Sequence, residues 1–198
     1  MQCLCCSNYT WQRFCDDCKT NLIPEVQLLP TMPNICLGGY LYAYEGPIQP
    51  IIHDIKYRGN LGLVHVLAGF NYIQHIPPIF LDVDAILTVP SHWLRQLLRG
   101  RPHLPELFKP CLRPHLHQRG WLVRKRYGRA SVGQSRQYRV VASQRPRFEW
   151  RGPPGVQSVT ILDDVCTTGA TMMEIARLLR QYGVSQVNVL SLAYQVIN

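Results

Sequence analysis

The sequence predicts an α/β protein in which a parallel sheet is flanked by helices and preceded by a small four-cysteine module. Three observations support this prediction. Short apolar runs typical of buried strands alternate with segments of helical periodicity. Two CxxC pairs lie within the first 18 residues. Near residue 160, an apolar run ends in two adjacent aspartates, and a turn rich in threonine and glycine leads into a helical pattern.

The N-terminal module is defined by the pairs Cys3-x2-Cys6 and Cys15-x2-Cys18. Each pair can present two thiolates to one metal through a tight turn, and two pairs complete the tetrahedron that Zn²⁺ adopts in closed sites. Because four thiolates leave no open position, the pattern predicts a structural zinc. Cys5 is an alternative ligand, and a disulfide pair, a redox CxxC motif and an iron–sulfur cluster are less favoured alternatives.

We assign residues 1–35 to the zinc module and its proline-containing linker, and residues 36–198 to a second domain. The module contains few apolar residues, so we expect it to need its metal in order to fold. No run approaches the roughly 18 apolar residues of a membrane span, and the N-terminus lacks the apolar core of a signal peptide. We therefore expect a cytoplasmic protein without a membrane span.

The first half of the second domain contains two predicted strands and two predicted helices. Residues 40–46 alternate in polarity and predict a strand. Residues 47–73 carry apolar side chains at helical spacing and predict two helices that break near residues 58–60. Residues 83–90 form a short apolar run that ends in proline, which is typical of a buried strand meeting a loop.

The second half continues the alternation. Residues 91–108 predict a basic helix and turn, and residues 156–164 predict another buried strand. Residues 171–183 have the pattern of an amphipathic helix that Gly183 ends, and residues 185–196 predict the last strand. This alternation of buried strands and helices favours a parallel sheet.

The positive charge is concentrated in one segment. The chain carries a net charge of +9. Between Arg95 and Arg151, fifteen of the twenty-one Lys and Arg residues are accompanied by only two acids, Glu106 and Glu149, so this segment carries +13. Aromatic residues are interleaved with these cations. The pattern predicts a polyanionic partner, either nucleic acid or a phosphorylated small molecule, and a solvated basic surface is the alternative.

The stretch VTILDDVCTTGATM, residues 159–172, carries the most specific chemical pattern. Asp163 and Asp164 are predicted at the carboxyl end of a buried parallel strand, where ligands of α/β sheets bind. The following turn suits a phosphate, because amides at a helix N-terminus point outward, glycine allows close approach and threonine hydroxyls add donors. Paired carboxylates suit hydroxyl groups, such as the 2′ and 3′ groups of ribose. The stretch therefore predicts a ribose 5-phosphate pocket; a helix-capping role for an aspartate is the alternative.

These motifs resemble those of a known family. The stretch is similar to the motif with which type I phosphoribosyltransferases bind 5-phosphoribosyl 1-diphosphate (PRPP). Together with the four-cysteine finger, the element Lys56-Tyr57-Arg58-Gly59, the run D-x-I-L-x-V-P at residues 84–90 and the basic R-x3-R-G at residues 95–100, it resembles the ComF family over nearly the whole chain. The resemblance implies a type I phosphoribosyltransferase-like parallel sheet flanked by helices, with an N-terminal zinc finger.

The resemblance implies a cytoplasmic role in competence, the natural transformation pathway, with handling of imported single-stranded DNA. It also implies that Mg²⁺ accompanies PRPP, and that a ComFA-type DNA translocase and other DNA-processing proteins are partners where such partners exist. An active phosphoribosyltransferase that transfers ribose 5-phosphate to a nucleobase or another small acceptor is the alternative, and a PRPP-sensing scaffold is a third. Whether PRPP is turned over stays open at this point.

The resemblance also implies roles for individual residues. Asp163 and Asp164 would bind the ribose, and the turn residues Thr167, Thr168, Gly169, Ala170 and Thr171 would bind the 5′-phosphate. Residues at the position of the pyrophosphate loop would be Pro90, Ser91 and His92, with charge from Arg95 and Arg99. Lys125 and Tyr127, in a segment similar to the catalytic hood loop, would close on the pyrophosphate.

Seven arginines of the basic segment are predicted to contact nucleic acid: Arg101, Arg119, Arg124, Arg126, Arg129, Arg136 and Arg139. The chain departs from the family pattern after Gly100. Many members read Phe-Asn-Gln there, whereas this chain reads Arg101-Pro102-His103. The replacement makes the segment more basic and favours a binding role for it.

Overall fold

The fold is taken from a computed structural model, which describes residues 1–12, 14–68, 72–90, 103–109, 116, 118, 120–125 and 147–195. Helices within these ranges are α1 Asp16–Thr20, α2 Ile48–Tyr57, α3 Leu61–Ala68, α4 His103–Leu107 and α5 Ala170–Gln181, with 3₁₀ turns at Tyr72–His75 and Pro78–Phe80. Strands are β1 Gln27–Leu28, β2 Leu37–Ala43, β3 Ala85–Thr88, β4 Leu122–Arg124, β5 Phe148–Trp150, β6 Ser158–Cys166 and β7 Gln186–Tyr194.

The central sheet has five strands in the order β1-β2-β7-β6-β3. Strands β2, β7, β6 and β3 run parallel, and among the described strands only the two-residue β1 joins this sheet antiparallel, at the outer edge of β2. Strands β4 and β5 form a separate antiparallel pair. The predicted α/β class, with a mostly parallel central sheet flanked by helices, is confirmed.

The continuous burial of β6 and β7 indicates that the sheet is covered on both faces. Residues 159–162 of β6 and residues 187–193 of β7 are buried without interruption. Such runs are typical of parallel strands that have packed elements on either side. Helix α2 buries Ile48, Ile51, Ile52 and Ile55, and helix α5 buries Met172, Ile175, Ala176 and Leu179. Both sets recur at three- and four-residue spacing, so each helix presents one apolar stripe to the core.

The predicted helices fit best. The break that we predicted at residues 58–60 separates α2 from α3, and Gly59 takes the left-handed backbone conformation at φ +64°. The predicted basic helix over residues 91–108 is described only at 103–109, where it forms the short helix α4. Residues 91–102 lie outside the described ranges.

Each of the four predicted strands differs from its prediction at one or both ends, and two differences matter most. Strand β2 begins at Leu37 rather than residue 40, because Gly38 and Gly39 belong to it; a Cβ on Gly39 would lie 2.9 Å from the Phe80 ring. Strand β6 continues beyond residue 164, since Val165 and Cys166 still pair with β7. The short strands β1, β4 and β5 were not predicted.

Among the described residues, every helix is too short or too polar to cross a membrane. The division of the chain between residues 35 and 36 stays a prediction.

Candidate functional site

The four cysteines of the N-terminal pairs form one cluster. The sulfur atoms of Cys3, Cys6, Cys15 and Cys18 all lie within 4.8 Å of one another, and the Cys6 and Cys15 sulfurs are 3.5 Å apart. A zinc tetrahedron with Zn–S bonds of about 2.3 Å has sulfur–sulfur edges of about 3.8 Å. The cluster therefore has the donor set and the spacing to bind a structural metal such as zinc, and Cys5 is outside this set.

The thiols of the cluster differ in their tendency to ionise. Burial opposes ionisation of Cys3, but backbone amides of Cys6, Cys15 and Cys5 direct their hydrogens at its sulfur and lower its pKa to about 6. The Cys15 amide lies 3.4 Å from that sulfur. Burial raises the pKa of Cys18, so this thiol resists ionisation unless a cation is nearby. A bound cation would therefore stabilise the ionised, thiolate form of these side chains.

The two adjacent aspartates lie near the carboxyl end of β6. The Asp164 amide donates to Asp163 Oδ1 at 2.9 Å, and the Val165 amide donates to Asp164 Oδ1 at 2.7 Å. Both side chains are half-buried. Pro90 follows β3, the neighbouring parallel strand, and is also half-buried at this edge of the sheet. The structure thus brings Pro90 and the two carboxylates to one edge.

Lys56 is the residue of this site that sequence analysis missed. It lies in the last turn of α2, and its Nζ is 2.7 Å from Asp164 Oδ1. The two side chains are only 20% and 13% exposed. The sequence does contain an indication of this residue, because Lys56 begins the Lys56-Tyr57-Arg58-Gly59 element on which the family resemblance partly rests.

The side chains of Arg124 and Lys125, which are adjacent in sequence, have different surroundings. Arg124, at the end of β4, is close enough to Asp163 for its charge to favour the ionised carboxylate. Lys125 instead lines a cavity of about 450 Å³ beside α5, together with Glu149, Glu174 and Arg177. Successive side chains along an extended segment point to opposite sides, which explains the separation. The predicted roles of both residues stay predictions.

The environment of Asp163 disfavours its charge. Burial and the neighbouring Asp164 carboxylate raise the pKa of Asp163 to about 7, although the Asp164 amide, Lys56 and Arg124 act in the opposite direction. Near neutral pH the pair therefore shares less than two full negative charges. One group that can both donate and accept a hydrogen bond then stands beside one that accepts, which suits a ligand with adjacent hydroxyls.

This raised pKa predicts a pH dependence of stability. Because the folded protein holds a proton on Asp163 that the unfolded chain loses above about pH 4, the free energy of unfolding should fall as pH rises from about 4 to 7. A shift of roughly three pKa units corresponds to at most about 4 kcal/mol, at about 1.4 kcal/mol per unit. Asp163→Asn should remove this slope and raise the melting temperature above pH 7. Thermal unfolding of both proteins from pH 4 to 8 checks this, since the cysteine cluster contributes equally to both. Parallel curves would contradict it.

The turn after β6 prepares the N-terminus of α5. Gly169 adopts φ +71°, and the helix begins at Ala170, whose amide donates to Thr168 Oγ1 at 3.3 Å. The N-cap residue Gly169 has no side chain with which to cap the helix, and the first turn has no acidic residue. Outward-pointing amides at such a helix end attract anions.

A cavity of about 330 Å³ adjoins the turn. It is lined by Cys166, Thr167, Thr168 and Gly169 on one side and by residues 29–33 on the other, with Met173 and Tyr194 completing the wall. Met32 packs directly against Gly169, because a Cβ built there would lie 2.3 Å from the Met32 sulfur. Burial and the Asp163 charge raise the pKa of Cys166 to about 11, so this thiol is not a nucleophile near neutral pH.

Several predicted site residues fall outside the described ranges. They are Ser91, His92, Arg95, Arg99, Arg101, Arg119, Arg126, Tyr127, Arg129, Arg136 and Arg139. The roles that sequence analysis assigned to them stay predictions.

Comparison with known proteins gives one relative to report. No family model matches the chain. Competence protein F of Haemophilus influenzae (strain ATCC 51907 / DSM 11121 / KW20 / Rd) is 27% identical over 165 residues, which cover 76% of this chain and 69% of that protein. This similarity extends well beyond the motif around Asp163 and Asp164. It confirms the resemblance of this chain to the ComF family.

Proposed function

We propose that this protein acts in competence by handling imported single-stranded DNA in the cytoplasm, and that it retains a PRPP pocket on a type I phosphoribosyltransferase-like fold. The observation that carries the pocket is the Asp163–Asp164 pair close to the N-terminus of α5, whose N-cap residue is Gly169. The similarity to Competence protein F supports the pathway.

The carboxylate pair and the helix end would divide the ligand between them. The 5′-phosphate would lie at the turn of residues 167–171, where the amides and the threonine hydroxyls are donors. The ribose hydroxyls would bind to Asp163 and Asp164. An ionised carboxylate accepts hydrogen bonds from hydroxyls but repels phosphate. Mg²⁺ would accompany the diphosphate and neutralise part of its charge. The four-cysteine cluster would hold a structural zinc.

The basic segment supports the DNA part of the proposal. One PRPP needs only a few cationic groups, whereas the stretch from Arg95 to Arg151 carries fifteen. Cations neutralise the phosphates of a strand, and interleaved aromatic residues can stack with its bases. A ComFA-type translocase and other DNA-processing proteins are the partners that this role would require.

Fluorescence anisotropy of a labelled single-stranded oligonucleotide tests both parts. Wild-type protein should bind the oligonucleotide, and the affinity should fall steeply between 50 and 200 mM salt, roughly 300-fold if about six phosphates of the single strand are contacted. Mg·PRPP should displace the strand if the strand crosses the mouth of the pocket. A double variant, Asp163→Asn with Asp164→Asn, should still bind DNA but resist displacement, and calorimetry should show weakened PRPP binding.

The outcomes separate the two parts of the proposal. Absence of DNA binding at low salt would refute the DNA-handling role. Unchanged PRPP affinity in the double variant would refute the ribose assignment. Arg58→Met is the control, because it removes a charged side chain that lies outside the proposed pocket. Arg58 is 73% exposed, and in the described structure it pairs only with Asp54.

An active phosphoribosyltransferase is the second candidate, and the paired carboxylates followed by the turn at Gly169 favour it. Transfer would break the bond between ribose C1 and the diphosphate through an oxocarbenium-like state, and nearby cations such as Arg124 would stabilise the departing charge. A screen of nucleobases for acceptor-dependent release of pyrophosphate tests this. Turnover that the Asp163→Asn, Asp164→Asn variant abolishes would establish it.

A further inference from the structure

The contact between Lys56 and Asp164 joins two elements that are distant in sequence. Lys56 lies in the last turn of α2, whereas Asp164 lies in β6, and their charged atoms are 2.7 Å apart. Asp164 Oδ1 also accepts the Val165 amide at 2.7 Å. Two donors on one oxygen fix the rotation of the carboxylate. The carboxylate is therefore held in one orientation before any ligand arrives.

An ion pair of this kind contributes little to stability by itself. Both side chains are mostly buried, so the cost of removing two charges from water offsets much of their attraction. Hydrophobic residues of similar volume would hold α2 against the sheet equally well. The position of the lysine is better explained by an effect on the carboxylates. Its charge also reaches Asp163, where it favours ionisation.

The neighbouring residues of the same element do not share this environment. Tyr57 is 65% exposed, and Arg58 forms an exposed pair with Asp54 within α2. Of the cations in this element, only Lys56 reaches the carboxylate pair in the described structure. This difference gives Lys56 a matched control within two residues.

We propose that Lys56 is a positioning residue that holds the Asp164 carboxylate in one orientation, and thereby makes the pocket selective for ligands with the vicinal hydroxyls of ribose 5-phosphate. The inference rests on the proposed function and deepens it. A site built to bind a hydroxyl discriminates against the analogue that lacks it, because its polar groups would otherwise stay unpaired. 2-Deoxyribose 5-phosphate, which lacks one hydroxyl, is that analogue.

Isothermal titration calorimetry with the two sugar phosphates tests the proposal. Wild-type protein should prefer ribose 5-phosphate roughly tenfold, as expected for one hydrogen bond to a charged group. Lys56→Met keeps the unbranched chain as far as Cε but removes the ammonium group, and it should reduce the preference to less than about threefold. Lys56→Arg should retain it, and the control Arg58→Met should leave it unchanged.

A purely structural role would give a different result. If Lys56→Met weakened both sugar phosphates by the same factor, or lowered the melting temperature while the preference remained, the proposal would be overturned. An unchanged preference at full stability would overturn it as well.

A measurement without ligand separates this inference from the proposed function. The carbon-13 carboxyl resonance of Asp163 should titrate at a higher pH in Lys56→Met than in wild-type protein, because a cation that favours ionisation has been removed. If wild-type protein bound neither sugar phosphate, the ribose pocket itself would fail. An unchanged titration midpoint would show instead that Lys56 does not control the pair, whatever the ligand.

Discussion

Cys15→Ser is expected to release the bound metal and to unfold the N-terminal module. The sulfur of Cys15 is one of four that lie within 4.8 Å, and it is 3.5 Å from that of Cys6. Removing a ligand should weaken zinc binding by more than about 100-fold, since changes outside the ligand set already cost 10- to 100-fold. Because metal binding and folding are coupled in small modules, the loss should lower the overall melting temperature.

Zinc content by mass spectrometry and thermal unfolding measure this effect. Cys36→Ser is the matched control, because Cys36 is exposed and lies outside the cluster. It should retain one zinc per chain. Unfolding of the module should also destabilise the sheet, because the two are in contact. Around the cluster, Cys3, Phe14, Cys18 and Leu22 are buried, and the Tyr42 hydroxyl of β2 donates to the Leu22 carbonyl at 3.1 Å. One zinc per chain in Cys15→Ser would rule out the four-cysteine assignment.

Gly169→Ala is expected to destabilise the fold and to abolish binding at the turn. The backbone at Gly169 is left-handed, which costs a residue with a Cβ roughly 1–2 kcal/mol. The new methyl group would also lie 2.3 Å from the Met32 sulfur, so that side chain must move. Methionine is adaptable, and we expect a total cost of about 2–3 kcal/mol. The displaced turn should no longer present its amides to a phosphate.

Two companion variants separate the causes. Gly155 has a similar φ of +88° with open space around it, so Gly155→Ala should show the backbone cost alone, about 1–2 kcal/mol. Met32→Ala combined with Gly169→Ala should recover the steric part. Denaturant unfolding gives the stabilities, and calorimetry with ribose 5-phosphate gives the binding. A loss of stability in Gly169→Ala no larger than that in Gly155→Ala would show that Met32 does not press on the turn.

The sequence predicted the parts of the fold that depend on local pattern. The apolar stripes of α2 and α5 have helical spacing, and the buried runs of β6 and β7 are continuous, so each could be recognised without knowledge of its neighbours. The four cysteines could be grouped because metal ligands have characteristic spacing, and the structure brings their sulfurs together.

Contacts between distant elements could not be predicted in this way. Gly38 and Gly39 interrupt the strand pattern of β2 in the sequence. In the structure Leu29 and Phe80 approach the backbone of these two residues so closely that a larger residue would not fit. The pairing of Lys56 with Asp164 depends on how α2 packs near β6, which no local pattern encodes. The different surroundings of Arg124 and Lys125 likewise depend on the side of the segment that faces the aspartates.

The position of β2 beside β7 also determines the order in which the chain can fold during synthesis. Residues 44–185 separate the two strands, and β7 leaves the ribosome after every other described strand. The edge of β2 therefore stays without its parallel partner until residues 186–194 have been made. Pairing of strands so distant in sequence slows folding and prolongs the exposure of apolar surface. A nascent chain of this protein should accordingly depend on chaperones, whereas the four cysteines within residues 3–18 need only local contacts to assemble.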